Sequence, residues 1–259
     1  MTCRMVILAA GEGTRLRPLT DQCPKGLVEV ADKPLVNWQI EAAWRLGLRE
    51  ISVVTGYRAE KFKEPRCRWY HNPHYAETNM VETLWCATPE FKGELIVSYG
   101  DIIYENSVLE TLIKSETPIS VVIDLDWRPY WEARFTDPLS DAETLRVDDE
   151  GHILEIGQKP GTIDEIQGQY IGLMKFKSEG LDALQSTYQA LKDDKMSPRS
   201  SQPFQKMYMT DLLQAIIDAG HPVHAVPIHR KWLEIDSMAD YHLANQHAQG
   251  DPNGLAITI

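Results

Sequence analysis

The chain has 259 residues, of which 43% are hydrophobic and 25% are charged, and its formal net charge at pH 7 is −12. This length and composition favour one large α/β domain with an ample core, and the negative charge argues against a general nucleic-acid or anionic-membrane surface. No apolar run approaches the length of a membrane span, and the N-terminal sequence does not have the pattern of a signal peptide. We therefore expect a cytoplasmic protein without a membrane partner.

The first ordered stretch predicts a phosphate-binding loop. An apolar run of strand length, residues 5–9, stops at a turn that contains Gly11 and Gly13. Two glycines at this spacing let the backbone turn tightly and present its N–H groups outward. Arg15 and Lys25 follow, and both side chains suit phosphate oxygens. Because a GxG motif alone is weak, an ordinary strand-to-helix turn with solvated Arg residues is the alternative.

The next elements predict a parallel strand pair. Residues 34–46 begin with Pro, carry apolar residues at helical spacing and end before Gly47, which predicts a helix. Residues 51–55 are apolar and β-branched, as in a buried strand, and this completes a β-loop-α-β unit. A short helix, a strand and a further helix with Asn79 near its cap are then predicted at 59–63, 66–70 and 79–87.

A carboxylate follows the next strand. The strand predicted at 94–98 leads into Gly100 and Asp101, and ligands of open α/β sheets bind beyond the carboxyl ends of the strands. Asp supplies the hard oxygen ligands that Mg²⁺ prefers. We therefore predict Asp101 as a metal ligand, with an ordinary surface turn as the alternative.

The middle of the chain predicts a pocket wall. After a helix at 106–114 and a strand at 119–124, residues 127–144 are rich in Trp, Arg and acidic residues and show no clear period. Long irregular segments in compact domains are usually functional or disordered, and the aromatic content argues against disorder. We expect an irregular segment that forms part of a substrate pocket, with a packed surface excursion as the alternative.

The rest of the chain predicts a hairpin, two further strands, three helices and a loop. They are expected at 145–147 with 152–156 (hairpin), 168–176 and 223–228 (strands), 181–191, 208–219 and 237–247 (helices) and 192–203 (mobile loop). Asp236 precedes the last helix and is a candidate cap as well as a candidate ligand. Residues 250–259 are predicted as a tail. The four cysteines form no CxxC pair and are expected to be reduced thiols, and a metal role for His221, His224 and His229 is an alternative without a completing ligand.

Several segments resemble a known family. LAAGEGTRLRPLT followed by PKGLVEVADKPLV resembles the signature of the nucleotidyltransferases that make sugar nucleotides and of their cytidylyl relatives. RFTDPLSDAETL, EIGQKP, DEIQGQYIGLMKF, YMTDLL and WLEIDS resemble bacterial phosphocholine, phosphonate and phosphoglutamine cytidylyltransferases. The resemblance runs from about residue 5 to residue 247. It implies a three-layer Rossmann-like α/β nucleotidyltransferase fold, similar to glycosyltransferase A, with a mixed, mostly parallel sheet. It also implies one domain at 1–249, with a nucleotide-binding half at about 1–125, an acceptor-binding half at about 126–249 and a tail at 250–259.

The resemblance implies a reaction as well. A Mg²⁺-dependent enzyme would join CTP to a small phosphorylated or phosphonate acceptor and release CDP-X and pyrophosphate, in the service of surface polysaccharide or phosphonate modification. The acceptor would be like phosphoglutamine, phosphocholine or aminoethylphosphonate. Two alternatives remain, a hexose-1-phosphate uridylyl- or thymidylyltransferase and an inactive nucleotide-binding module. The sequence does not predict the oligomeric state.

The family's roles can be carried over to individual residues. Arg15, Lys25 and Lys159 are implied as catalytic, and Asp101 and Asp236 as the metal ligands. The implied nucleotide-binding set is Leu8, Ala10, Gly11, Gly13, Thr14, Arg15, Lys25, Asn79 and Gly100. The implied acceptor-binding set is Trp127, Arg128, Arg134, Lys159, Gln169, Tyr170 and Trp232. Its aromatic members suit a cationic acceptor and its Arg residues suit a carboxylate, and the sequence leaves both open.

Overall fold

The computed structural model describes residues 3–194, 198–199, 201–251 and 254–258. Its centre is a seven-stranded sheet. The strands are β1 Cys3–Ala9, β2 Glu50–Thr55, β3 Cys67–His71, β4 Glu94–Tyr99, β5 Ile119–Asp124, β6 Gln169–Phe176 and β7 His224–Ile228. Their spatial order is β7-β5-β6-β4-β1-β2-β3. β6 is antiparallel to both of its neighbours, and all other neighbouring pairs are parallel.

Helices cover both faces of this sheet. They are α1 Leu35–Arg45, α2 Met80–Trp85, α3 Asn106–Lys114, α4 Trp127–Arg134, α5 Ser178–Lys192, α6 Met209–Asp218 and α7 Met238–His247. Met5 and Ile7 of β1 belong to one apolar cluster, together with residues of α1, α3 and α4. Val6 and Leu8 belong to a second cluster, with residues of α2, α5 and α6. Since successive strand residues point to opposite faces, these two clusters are the two sides of a three-layer α/β fold, and the expected mixed, mostly parallel sheet is confirmed.

Four short antiparallel strand pairs lie outside the main sheet. They are Glu29–Val30 with Lys33–Pro34, Ile102–Tyr104 with Trp232–Glu234, Leu145–Val147 with Ile153–Ile156, and Ala248–Asp251 with Gly254–Ile257. The predicted hairpin is therefore present. In contrast, the prediction of a tail at 250–259 is wrong for its described part, because those residues pair in a hairpin and Leu255 is buried in the apolar cluster of α1.

The segment 127–144 is not irregular throughout, so that prediction is wrong for residues 127–134. Its first part is the helix α4, whose buried side chains are Trp127, Tyr130, Trp131 and Arg134. These positions follow the i, i+3, i+4, i+7 spacing of a helix face. The period was hidden because its last member is a charged residue, and Arg134 is buried only because it pairs with Asp240 and Glu234.

Two further predicted elements, a short helix and a loop, differ from the structure or lie partly outside its described residues. The short helix expected at 59–63 is a 3₁₀ turn at Ala59–Lys61. The mobile loop expected at 192–203 includes residues 195–197 and 200, which lie outside the described residues. Within the described parts of the chain, no helix combines the length and the apolar character that a membrane crossing requires.

Candidate active site

The phosphate-binding loop predicted after β1 is a tight turn that packs against Lys25. Gly13 has φ +68°, a conformation that side chains other than glycine rarely adopt, and it begins the 3₁₀ turn Thr14–Leu16. The Thr20 hydroxyl donates to the Gly13 carbonyl at 2.7 Å. A Cβ on Gly13 would lie 2.9 Å from the Lys25 Cβ. The glycine therefore makes room for the lysine stem that enters the site.

Two carboxylates from distant parts of the sequence meet at the edge of the sheet beside this loop. Asp101 follows β4, which is the parallel neighbour of β1. The strand Trp232–Glu234 pairs with Ile102–Tyr104, and the Ile235 N–H donates to the Asp101 carbonyl at 2.9 Å. This pairing places Asp236 next to Asp101.

Lys25 joins the two carboxylates. Its Nζ donates to Asp101 Oδ2 at 2.6 Å and to Asp236 Oδ1 at 2.6 Å. Arg15 forms an ion pair with the other oxygen of Asp236. Burial alone would lower the pKa of Lys25, but the two carboxylates outweigh it and raise the pKa. Burial would likewise raise the pKa of Asp236, and the charges of Lys25 and Arg15 reverse this and lower it. Lys25 and Asp236 are therefore both charged at neutral pH.

The loop, the carboxylates and the start of α2 enclose a cleft of about 290 Å³, which we call the nucleotide cleft. All nine residues of the predicted nucleotide-binding set line it, and so do Asp101 and Asp236. The Asn79 side chain accepts from the Met80 N–H at 3.0 Å, so it caps α2 while it faces this cleft. The remaining lining residues, for which the sequence predicted no site role, are Ala9, Gly26, Tyr75, Thr78, Met80, Thr83 and Tyr99.

The donor set of the nucleotide cleft fits a divalent cation. Asp101 Oδ1 is buried and has no hydrogen-bond partner among the described atoms, although buried carboxylate oxygens normally have one. Within the described ranges, no group of three or more His, Cys, Asp or Glu side chains could hold a metal. Mg²⁺ is commonly held by one or two carboxylates together with substrate phosphates, and Asp101 and Asp236 match that pattern.

A second cleft, of about 240 Å³, continues from the first, and we call it the acceptor cleft. The two clefts share Arg15, Met80, Tyr99 and Asp236. The other lining residues of the acceptor cleft are Trp131, Asp141, Glu143, Gln169, Tyr170, Ile171, Gly172, Tyr208, Thr210, Trp232 and Glu234. Gly172 has φ +81°, and a Cβ there would lie 2.6 Å from the Tyr99 ring.

Three residues of the predicted acceptor-binding set line the acceptor cleft and four do not. Gln169, Tyr170 and Trp232 line it. Trp127 packs in the core and Arg134 is buried behind the cleft wall against Glu234. The other two lie outside both clefts, where Arg128 pairs with Glu132 and Lys159 donates to the Leu139 carbonyl.

Two carboxylates of the acceptor cleft have raised pKa values. Burial, together with the charges of Asp141, Asp211 and Glu234, raises the pKa of Glu143 to about 7. Burial also raises the pKa of Glu234 to about 7, with Asp101 and Asp236 adding to the effect and Arg134 opposing it. The acceptor cleft therefore changes its charge near neutral pH.

Neither of these two acids was among the site residues predicted from the sequence. Glu143 lies in the segment without a clear period, where nothing marks one acid among several. Glu234 lies two residues before Asp236, which was predicted as a metal ligand. Because alternate residues of an extended segment point to the same side, Glu234 could have been predicted to lie beside Asp236.

Comparisons with known proteins identify the family of this chain. A model of the MobA-like NTP transferase domain matches residues 5–234. Over 246 residues the chain is 39% identical to the CTP:phosphoglutamine cytidylyltransferase of Campylobacter jejuni, with 91% of this chain and 96% of the relative covered. It is 34% identical over 116 residues to the choline-phosphate cytidylyltransferase of Streptococcus pneumoniae, with 43% of this chain and 51% of the relative covered.

The fold has solved counterparts. The structure of the CTP:phosphocholine cytidylyltransferase from Streptococcus pneumoniae has a TM-score of 0.73 and 23% identity, and the match covers 95% of this chain and 99% of that one. The predicted nucleotidyltransferase fold is thereby confirmed. The predicted family is confirmed by the match over residues 5–234, and the chain belongs to the family of MobA-like NTP transferases.

Proposed function

We propose that the protein is a Mg²⁺-dependent cytidylyltransferase that joins CTP to a small phosphorylated or phosphonate acceptor and releases pyrophosphate. The observation that carries this proposal is the continuity of the two clefts through Arg15 and Asp236. A nucleotide in one cleft and an acceptor in the other would meet beside the paired carboxylates. The 39% identity to a CTP:phosphoglutamine cytidylyltransferase over 91% of the chain supports CTP as the donor.

The glycine loop would hold the nucleotide. Gly11 and Gly13 line the nucleotide cleft, and the backbone N–H groups of such a glycine turn would bind phosphate oxygens. Arg15 and Lys25 would neutralise the charge of the triphosphate. Neither cation is free in the protein itself, because each is paired with Asp236. Nucleotide binding would therefore exchange carboxylate partners for phosphate partners.

Asp101 and Asp236 would hold Mg²⁺, which when bound supplies positive charge at the α-phosphate. Asp101 Oδ1 is already without a partner among the described atoms. Asp236 would become available when Lys25 and Arg15 move to the phosphates. The two carboxylates would thus hold the metal and help to orient the reacting phosphate.

The acceptor would attack in line from the acceptor cleft. A phosphate monoester has a second pKa of about 6, so its oxygen is already nucleophilic near neutral pH and no protein base is required. The contribution of the chain is then orientation and charge neutralisation. Lys159 stays a predicted acceptor-side residue, and its bond to Leu139 ties it to the segment that leads into Asp141 and Glu143.

The test is pyrophosphate release with Mg²⁺ and each of CTP, UTP, dTTP, ATP and GTP, combined with phosphoglutamine, phosphocholine, 2-aminoethylphosphonate and glucose 1-phosphate. We expect turnover with CTP and at least one of the first three acceptors. Turnover only with UTP or dTTP and glucose 1-phosphate would replace this proposal by a sugar nucleotidyltransferase. Nucleotide binding without turnover of any acceptor would contradict the proposed activity.

A further inference from the structure

The acceptor cleft is acidic. Its described lining contains four carboxylates, on Asp141, Glu143, Glu234 and Asp236, and a single cation, Arg15. Arg15 is itself paired with Asp236, and in the proposed function it serves the nucleotide. The far end of the acceptor cleft therefore offers negative charge to a ligand and no unpaired cation among its described residues.

Glu143 differs from the other three acids. Asp141 accepts from the Trp131 indole N–H at 3.1 Å, and Glu234 pairs with Arg134 at 2.7 Å. In the part of the chain that the structure describes, the side chain of Glu143 makes no hydrogen bond or ion pair. A half-buried carboxylate without a partner is costly, so a cationic ligand would gain by binding there.

Gln169 fixes the position of Glu143. The Gln169 side-chain N–H donates to the Glu143 backbone carbonyl at 2.6 Å, and the Glu143 backbone N–H donates to the side-chain amide oxygen of Gln169 at 3.2 Å. Gln169 is only 3% exposed, so this two-point contact is protected from water. A buried amide that clamps the backbone of an unpaired acid indicates a built site rather than a solvated surface side chain.

Aromatic rings line the same cleft as this acid. Tyr99, Trp131, Tyr170, Tyr208 and Trp232 all line the acceptor cleft, and the Tyr99 and Tyr170 rings meet edge to face at 5.7 Å. Aromatic faces attract ammonium groups, most strongly where water is excluded. A cleft lined by aromatic rings and an unpaired carboxylate suits an ammonium group better than a neutral sugar.

We propose that the acceptor carries a positively charged amine or quaternary ammonium group, and that Glu143 is the residue that selects it. This inference rests on the proposed function, because it assigns a chemical class to the acceptor of that reaction. The phosphate of the acceptor lies toward Asp236, and its cationic group lies toward Glu143 and the aromatic wall. Gln169 is then a positioning residue that acts through Glu143.

Pairs of acceptors that differ only in charge test the inference. 2-Aminoethyl phosphate is compared with propyl phosphate, and phosphocholine with 3,3-dimethylbutyl phosphate, in which a carbon replaces the ammonium nitrogen. We expect the wild-type enzyme to favour the cationic member in kcat/KM by about 10- to 100-fold, the range of a charge-assisted contact. Equal kcat/KM within both pairs would overturn the inference while the proposed function stands.

The variant Glu143→Gln keeps the size of the side chain and removes the charge. We expect its KM for the cationic member to rise about 10- to 100-fold, while kcat, the KM for CTP and the KM for the neutral member stay within about twofold. Glu143→Asp should recover part of the preference because it restores the charge. Glu179→Gln is the matched control, since Glu179 is exposed on α5 and lines neither cleft. An unchanged charge preference in Glu143→Gln would overturn the assignment of Glu143.

Binding measurements separate this inference from the reaction itself. The same four compounds are titrated calorimetrically into the protein with Mg²⁺ and cytidine 5′-(α,β-methylene)triphosphate, which cannot transfer its nucleotidyl group. Tighter binding of both cationic members, lost in Glu143→Gln, would support the inference even if no acceptor is turned over. Equal binding of cationic and neutral members would contradict it whatever the turnover assay shows.

Discussion

The ammonium group of Lys25 lies 2.6 Å from a carboxylate oxygen of Asp236, although the two residues are 211 positions apart in the chain. The same group lies 2.6 Å from Asp101. Lys25 is therefore the internal counter-ion of both proposed metal ligands. A cation at this place stabilises the pair of acids when no metal is bound, and it competes with a metal for them.

Replacement of this counter-ion tests that competition. In Lys25→Met we expect the metal-free protein to lose about 1–3 kcal/mol of unfolding free energy, because two partly buried acids lose their partner. We expect Mn²⁺ alone to bind more tightly than in the wild type and to raise the thermal midpoint by more. Calorimetric titration with Mn²⁺ and thermal unfolding with and without Mn²⁺ measure both effects. Unchanged or weaker Mn²⁺ binding would show that Lys25 does not compete for these ligands.

The two carboxylates should be essential for turnover. We expect Asp101→Asn and Asp236→Asn each to lower kcat by about 100-fold or more, because the charge that holds the metal at the reacting phosphate is lost. The circular dichroism spectrum should not change. Asp164→Asn is the control, since Asp164 is exposed and lines neither cleft. Wild-type turnover in either of the first two variants would remove that residue from the proposed metal site.

Arg15 and Arg17 form a matched pair on the glycine loop. Arg15 lines both clefts, whereas Arg17 lines neither and pairs with Glu12 and Asp21 instead. We expect Arg15→Gln to lower kcat/KM for CTP by about 10- to 100-fold through the loss of phosphate contacts. Arg17→Gln should change it by less than about threefold, in line with an exposed ion pair. Equal losses in steady-state assays of the two variants would contradict the proposed role of Arg15.

Substitutions at Gly13 and Gly47 distinguish the effect of backbone strain from the effect of site geometry. Both have positive φ, but only at Gly13 would a Cβ meet another atom within 4 Å, and that atom belongs to Lys25. We expect Gly13→Ala and Gly47→Ala both to lose about 1–2 kcal/mol of unfolding free energy. Only Gly13→Ala should also lose CTP turnover, because it displaces the Lys25 stem. Denaturant unfolding and steady-state assays check this, and full activity in Gly13→Ala would show that the contact is unimportant.

The preference for cationic acceptors should depend on pH. Burial and the neighbouring acids raise the pKa of Glu143 to about 7, so below that pH its side chain is protonated and does not attract a cation. The ratio of kcat/KM for phosphocholine to that for 3,3-dimethylbutyl phosphate should rise from pH 6 to pH 8. The ratio cancels the titration of the acceptor phosphate, which both compounds share.

The pKa of Glu234 is also raised to about 7, so it titrates in the same range as Glu143. The other charged groups around the acceptor cleft are Asp141, Asp211, Asp236 and Arg15. The variant Glu143→Gln distinguishes the two acids. If Glu143 is the titrating group, the rise is lost in this variant, and if the rise persists it belongs to Glu234.

The residues that line the nucleotide cleft could largely be grouped from the sequence because its parts are local. Gly11, Gly13 and Asp101 follow apolar strands directly, and the carboxyl ends of neighbouring parallel strands meet at one edge of a sheet. Asp236 was reached only through the resemblance of its WLEIDS segment. The structure then gives the reason for its position, since the strand before it pairs with Ile102–Tyr104.

Only three of the seven predicted acceptor-binding residues line the acceptor cleft. Tertiary contacts, which the sequence does not show, decide which side chains reach it. Arg134 has the residue type of a carboxylate-binding group, but the structure pairs it with Asp240 and Glu234. Trp127 has the residue type of a cation-binding group, but it packs in the core. No local pattern distinguishes Glu143 from its acidic neighbours, and only its missing partner and its contact with Gln169 do so.

The most direct test of the proposed function is ³¹P NMR of the purified protein with CTP, Mg²⁺ and phosphoglutamine, phosphocholine or 2-aminoethylphosphonate. We expect the CTP signals to be replaced by those of pyrophosphate and of a new anhydride between CMP and the acceptor, for at least one acceptor. We expect no such product with Asp101→Asn under the same conditions. Unchanged CTP with all three acceptors, from a protein that binds CTP, would contradict the central claim.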